Sequence, residues 1–415
     1  MIDQTEDPGL NSERESGMNE DIAVFGHSAG GGASATEHAL AMEEYITVGK
    51  KKAQTLENRG PIKLGDNGQL SPQILDAYWE HGFYVFENVI AEAELAELLA
   101  DMERVLKEAS VPGSDVDGNE NGEAELHNGF AKPSYRFARP LSDPLGGTTR
   151  NKGRHPVKME TPMPSTEAPH WVLQNLNGNL QLMDSCLRLY GHPGLLSVAE
   201  AINGSDFVPY NEVTFIKKPG LGPSVAWHQD GTTHWGSQDW DQGAHGFNFM
   251  VQLYPSTAGN SVWVLPGSHK MGKLDIAKKV LESGSERIEG AVPLLSGAGD
   301  VIVNNRQMLH GSFANTSNDL RITLNEGFFP RERVLNVKAT GLNGESTQDL
   351  NRVPHKISAD YVKPARDIIE TREETRTRLP IERSQFLERS RVTSPVPVQK
   401  LLSSRVFSVP PSIIV

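Results

Sequence analysis

The chain has a single cysteine, Cys186, in 415 residues. No internal disulfide can form, which excludes the small cross-linked secreted scaffolds and predicts a reducing, intracellular setting. Long apolar runs are missing as well, at the start and elsewhere, so neither a signal peptide nor a membrane-spanning helix is expected and the predicted location is cytoplasmic. Basic residues are in short supply: 40 Lys and Arg face 53 Asp and Glu, a formal charge of −13. Neutralising phosphates takes clustered cations, and Lys50 to Lys52 form a block of only three; this excludes nucleic acid as the main partner.

What is present is ordinary for a globular protein, with 37% apolar and 22% charged residues. Gly (39) and Pro (26) are frequent, which favours strands, turns and loops over long helices. The length suffices for one large domain with extensions. Residues 1–66 are polar, with twelve acidic against six basic side chains, and predict a flexible acidic leader. The folded pattern starts at "LSPQILDAYWEHGFYVFENVI", where Ser71 caps a helix, Pro72 suits its first position, Gly82 ends it and a strand follows. "AEAELAELLADMERVLKEA" places Leu95, Leu98, Leu99, Met102, Val105 and Leu106 at helical spacing. Residues 111–170 are rich in Gly, Pro and Asp without periodicity and predict a lid over part of their length. Cys186, in "MDSCLRLYGH", reads as a buried inert thiol on a helix.

From about residue 207 short β-type runs alternate with turn residues: "FVPYNEVTFIKK", "GFNFMVQLY", "NSVWVLP", "GDVIVNN", "LHGSFAN" and "RITLNEGFF". That rhythm predicts an antiparallel sandwich or barrel. Residues 67–335 form the predicted domain, and 336–415 a partly helical C-terminal extension and the expected route to any self-association.

Three motifs compete for function. "GHSAGG" imitates the turn that carries a hydrolase serine, but only 27 residues precede Ser28, too few for the sheet such a serine needs; a flexible leader is the simpler reading. "DVDGNENGEAEL" begins like a calcium loop, then offers Glu120 where glycine is required and Leu126 where a bidentate Glu is required. "VAWHQDGTTHW" supplies His228 and Asp230, which project to one side of a strand while Gln229 faces away. H-x-D alone is common by chance. A third ligand is available in His310, and eleven residues later Arg321 can pair a carboxylate through two parallel bonds, with Ser312 as an added donor. Two histidines and a carboxylate on one face of Fe(II) leave neighbouring positions open for O2 and a chelating co-substrate. His234 and His245 read as loop or supporting residues, and Trp227, Trp235 and Trp263 as core.

"FIKKPG" leading into "WHQD", then "NSVWVLPGSHK", "GAGDVIVNN" and "LHGSFANTSNDLR", resemble in order and spacing the phytanoyl-CoA dioxygenase-like branch of the Fe(II)/2-oxoglutarate-dependent oxygenases. The likeness covers about residues 70–335, chiefly the second half. It implies a mainly β chain with flanking helices around a double-stranded β-helix (a jelly-roll, cupin-like core). It further implies that His228, Asp230 and His310 bind Fe(II), that Arg321 with Ser312 holds the far carboxylate of 2-oxoglutarate, and that Thr214 contacts the co-substrate. His269 in "PGSHK" would be a structural turn. The departure lies in "GFNFMVQLY", where many relatives carry a co-substrate-contacting Trp or Ser, so that contact stays unassigned. Relatives that halogenate replace the aspartate by a small residue; Asp230 therefore favours hydroxylation. The implied reaction oxidises a small organic metabolite or natural-product intermediate while 2-oxoglutarate and O2 become succinate and CO2, with specificity residing in 111–170. Desaturation, epoxidation and rearrangement share the same oxidant. Two other classes stand beside it: a non-oxidative metal-dependent lyase or isomerase, which would not need Arg321, and a binding protein with a degenerate site.

Overall fold

Which way each strand's alternate side chains point decides the architecture. The computed structural model describes residues 33–109, 123–125, 133–177, 179, 183–231, 246–330, 338–340 and 347–349. Their order begins α1 (Ala35–Gln54), β1 (Arg59–Gly60), α2 (Pro72–His81), β2 (Phe83–Phe86), α3 (Glu92–Ala109), β3 (Glu123–Glu125), β4 (Pro133–Ala138), β5 (Val172–Asn177), α4 (Asp184–Tyr190) and α5 (Pro193–Asn203). It continues β6 (Phe207–Lys217), β7 (Val225–His228), β8 (Phe247–Gln252), β9 (Trp263–Val264), α6 (Ile276–Ser283), β10 (Val292–Pro293), β11 (Val301–Asn305), β12 (His310–Ser312) and β13 (Arg321–Pro330). A hairpin of β14 (Lys338–Thr340) and β15 (Thr347–Asp349) follows.

A large sheet runs β1-β2-β11-β8-β13-β6-β5-β4-β3 and a small one β10-β9-β12-β7. In the large sheet Phe247, Phe249 and Val251 of β8, Val301 and Val303 of β11, and Ile322 and Leu324 of β13 share one face. Onto that face pack Ile74 and Tyr78 of α2, Leu98, Met102 and Val105 of α3, Leu189 of α4 and Leu195 of α5, each such burial contributing roughly 1.5–3 kcal/mol. Cys186 is fully buried in this cluster, as the sequence predicts. The small sheet's outer face carries Trp227, Trp263 and Phe313, covered by Met42 of α1 and Ile276 and Val280 of α6. Between the sheets Val85, Met250 and Ile302 meet Val264, Val292 and Met308, forming an apolar plug in one half of the inter-sheet space. Polar residues occupy the other half, between β13–β6 and β12–β7. This is the expected jelly roll with helices outside.

Two expectations need correction. The leader does not extend to residue 66: α1, capped by a reciprocal Ser34/Glu37 pair, lies against the small sheet, with Tyr45 stacked on Trp263 at 4.3 Å. Tyr45 Oη donates to the Ile288 carbonyl at 2.8 Å, and His38 Nδ1 meets the Glu160 carboxylate at 2.9 Å. Part of 111–170 is also ordinary sheet, since β4 pairs with β5 and extends the large sheet. Ser71 precedes α2 as predicted, but its hydroxyl bonds Gln73 instead of capping, while Gly82 ends the helix at φ 85°. "GHSAGG", His234, Trp235, His245 and residues 350–415 lie outside the described residues.

Candidate metal and co-substrate site

His228 is the last residue of β7 and His310 the first of β12, and the two are direct cross-strand partners. Opposite residues share a face, so both imidazoles enter the space between the sheets, with ring centroids 4.1 Å apart. Each ring is held from behind: His228 Nδ1 bonds the Ala226 carbonyl at 2.8 Å and His310 Nδ1 the Met308 carbonyl at 2.9 Å. A carbonyl only accepts, so the proton sits on Nδ1 and the Nε2 lone pair faces the site. Asp230 lies two residues beyond the strand end, its N–H tied to the Arg306 carbonyl at 2.8 Å. Its oxygens are 3.8 Å from His228 Nε2 and 3.8 Å from His310 Nε2, and the three ligand atoms lie within 4.8 Å of one another. Gln229 turns away, donating to the Gly272 and Gln307 carbonyls and accepting from Leu274 N–H.

Electrostatics suit a cation. Burial, then His310 and His155, push His228 well below the ordinary histidine range, keeping the imidazole neutral and able to ligate. Burial works to raise the Asp230 carboxyl, but its positive surroundings, the guanidinium groups of Arg306 and Arg154 among them, outweigh it and hold the group ionised. Arg154 Nη1 bonds an Asp230 oxygen at 3.0 Å, and His155, pushed down to about 4 chiefly by burial, lies 4.3 Å from the His228 ring. Both come from the stretch between β4 and β5, the region predicted to cover the site. Neutral imidazoles and one carboxylate are a donor set suited to Fe(II).

Farther along the inter-sheet space a second group forms. Arg321 is 2% exposed, and its Nε and Nη1 have no hydrogen-bond partner; burial lowers its guanidinium to about 10. Ser312 Oγ, two residues on from His310 along β12, is likewise buried without a partner. A buried charge left unpaired is costly, and a carboxylate-bearing ligand would meet both needs.

Thr214 does not join this group. It pairs with Leu324 and Leu176 across β6, on the face that packs against the helices, and its hydroxyl donates to Asn179 Oδ1 at 2.9 Å. His269 has the structural role expected of it, with Nε2 bonded to the Trp79 carbonyl at 3.0 Å. Arg154, His155 and Lys217 were not singled out from sequence. Lys217 stands in the quoted "FIKKPG"; the other two sit in a segment without periodicity.

A family model described as phytanoyl-CoA dioxygenase (PhyH) matches residues 78–323. A phytanoyl-CoA dioxygenase of Arabidopsis thaliana is 22% identical over 270 residues, 62% of this chain and 88% of that one. An ectoine dioxygenase of Bordetella bronchiseptica is 21% identical over 326 residues, 73% and 90%. Among solved structures, EctD from S. alaskensis with 2-oxoglutarate and 5-hydroxyectoine aligns with a TM-score of 0.47 at 16% identity, over 70% of this chain and 86% of that one.

Proposed function

This chain belongs to the phytanoyl-CoA dioxygenase family, and from that premise we propose a non-haem Fe(II)/2-oxoglutarate-dependent dioxygenase that hydroxylates a small organic metabolite or natural-product intermediate. His228, Asp230 and His310 hold the iron; Arg321 and Ser312 take the far carboxylate of the co-substrate. One observation carries this reading: a converging His/Asp/His set shares an inter-sheet space with a buried guanidinium that has two unpaired donor atoms.

Iron with O2 and 2-oxoglutarate supplies the oxidising power, the co-substrate leaving as succinate and CO2. The chain's own residues do the rest. The Ala226 and Met308 carbonyls fix both imidazoles, and the Arg306 carbonyl and Arg154 guanidinium fix the carboxylate; such support for ligands orients them and tunes the metal. Arg321 and Ser312 aim the co-substrate, and the apolar plug of Met250, Val264 and Ile302 keeps water from one side. The segment with Arg154 and His155 lies beside Asp230 and His228, where it can shape what substrate approaches.

A non-oxidative lyase or isomerase would have no use for Arg321. Two relatives named for phytanoyl-CoA and ectoine are equally consistent with a lipid thioester and a small polar solute; the acidic balance of the chain favours the latter. The test is succinate formation from 2-oxoglutarate, followed with and without Fe(II) and O2. Dependence on both, abolished in His310→Ala, is the expected result. Succinate formation that needs neither, or that persists in His310→Ala, contradicts the assignment.

A further inference from the structure

Arg321 is not the only buried cation on the inner face of the large sheet. Lys217, at the end of β6, is its cross-strand partner and therefore leaves the large sheet on the same face, toward β12. Lys217 is 3% exposed, and its ammonium donates to the carbonyl of Phe313, next to Ser312. Gly222 fixes the stem of the side chain: a Cβ there would lie 3.0 Å from Lys217 Cα and 3.1 Å from its Cβ. The amine is thus held between its cross-strand partner Arg321 and the backbone that follows Ser312.

Two adjacent buried cations repel, and burial, then the charge of Arg321, pushes the Lys217 amine well below the ordinary lysine range. Asp143 pulls the other way but is not a contact partner. Its carboxylate already accepts from the N–H groups of Leu145, Gly146 and Met159. Among the described residues neither Lys217 nor Arg321 has a carboxylate within ion-pair reach. Such an arrangement is poised for an anion from outside the chain.

We propose that Lys217 is a second cationic anchor of the co-substrate, gripping the far carboxylate of 2-oxoglutarate together with Arg321. The proposal rests on the co-substrate reading above and adds a consequence: the site selects 2-oxo acids by their far carboxylate through two charges, not one. A ligand carboxylate between the cations also relieves their repulsion, so binding the co-substrate favours the charged form of Lys217.

Calorimetry of anaerobic Fe(II)-loaded protein tests it, with 2-oxoglutarate and with 2-oxovalerate, which has the same chain length and no far carboxylate. Two variants are compared: Lys217→Met, and Lys217→Gln, which keeps a donor for the Phe313 carbonyl while removing the charge. Both should raise the Kd of 2-oxoglutarate by about tenfold or more, as expected for a lost charge-assisted bond, and leave that of 2-oxovalerate within about twofold. Equal weakening of both ligands would mark Lys217 as structural and overturn the proposal, as would no weakening of 2-oxoglutarate. A wild-type protein that binds the two ligands equally, or binds neither, overturns the co-substrate reading itself, an outcome separate from failure in the variants alone.

Discussion

At the scale of single residues the site depends on groups that are costly without a ligand. Arg321 is the clearest, since two of its donor atoms are buried without a partner. Replacing it by Met removes one charged partner of the co-substrate, and the 2-oxoglutarate concentration for half-maximal succinate formation should rise by about tenfold or more. The stability of the ligand-free protein should hold or increase, because a buried unpaired charge is removed; thermal denaturation of the ligand-free variant checks this. His228 and Asp230 were legible in sequence because an H-x-D at a strand end needs only two-residue alternation to aim both side chains alike, and His310 through the strand-like run before it and the family resemblance. Thr214 was carried over from the family resemblance, and alternation places it elsewhere: with Arg321 facing inward and opposite Lys217, three positions along β13 puts Leu324, and so Thr214, on the other face. Arg154 left no sequence signal, because a coil segment brings it to Asp230 and no periodic pattern records such an approach.

At the scale of elements, α1 shows what patterning misses. Its buried positions are His38, Met42 and Gly49, one apolar side chain among three, so no apolar stripe announces a packed helix. Contact is made instead by the Tyr45 ring and by the absence of a side chain at Gly49, where a Cβ would come within 2.5 Å of the Trp263 ring. Gly49→Ala should therefore destabilise the protein by about 1–3 kcal/mol, the usual cost of overpacking, although alanine is the better helix former; chemical denaturation measures it. The helix is also tied by charge. Glu160 meets His38 at 2.9 Å and Arg287 at 3.2 Å, and the hydrogen bond from His38 is the first cause of a lowered Glu160 pKa. A folded pKa below the unfolded value adds stability above the unfolded pKa of about 4.5, and that stability is lost as pH falls through the folded pKa. Glu160→Gln should accordingly lower Tm at pH 7 and converge on wild type in more acidic buffer. A Tm difference that persists unchanged at low pH would contradict the charge-based tether. By contrast α2 and α3 were legible, since Leu98, Met102 and Val105 form a regular stripe that ends fully buried.

At the scale of the whole molecule, an apolar plug fills one half of the space between the two sheets and polar residues occupy the other. The rhythm of strand-like runs made an antiparallel sandwich or barrel readable in advance, and the family resemblance narrowed it to the jelly roll. The large sheet's extension through β4 and β3 was not readable, because β3 is three residues long and lies in a Gly- and Asp-rich stretch that reads as loop. Since His228 and His310 come from neighbouring strands and Asp230 from the chain beyond β7, an ion bound by all three joins separate parts of the fold. Binding only the folded state, Fe(II) at about 100 times its Kd should stabilise the protein by about 2.7 kcal/mol, a rise of roughly 3–5 °C in Tm that a chelator reverses.

The most direct test of the central claim is an anaerobic titration of metal-free protein, first with Fe(II) and then with 2-oxoglutarate, followed by visible absorption. The account predicts one Fe(II) per chain. A weak charge-transfer band should follow on adding 2-oxoglutarate, be absent in His310→Ala, and require more co-substrate in Arg321→Met. Iron that binds without any band on adding 2-oxoglutarate, or a band that survives in His310→Ala, would contradict it.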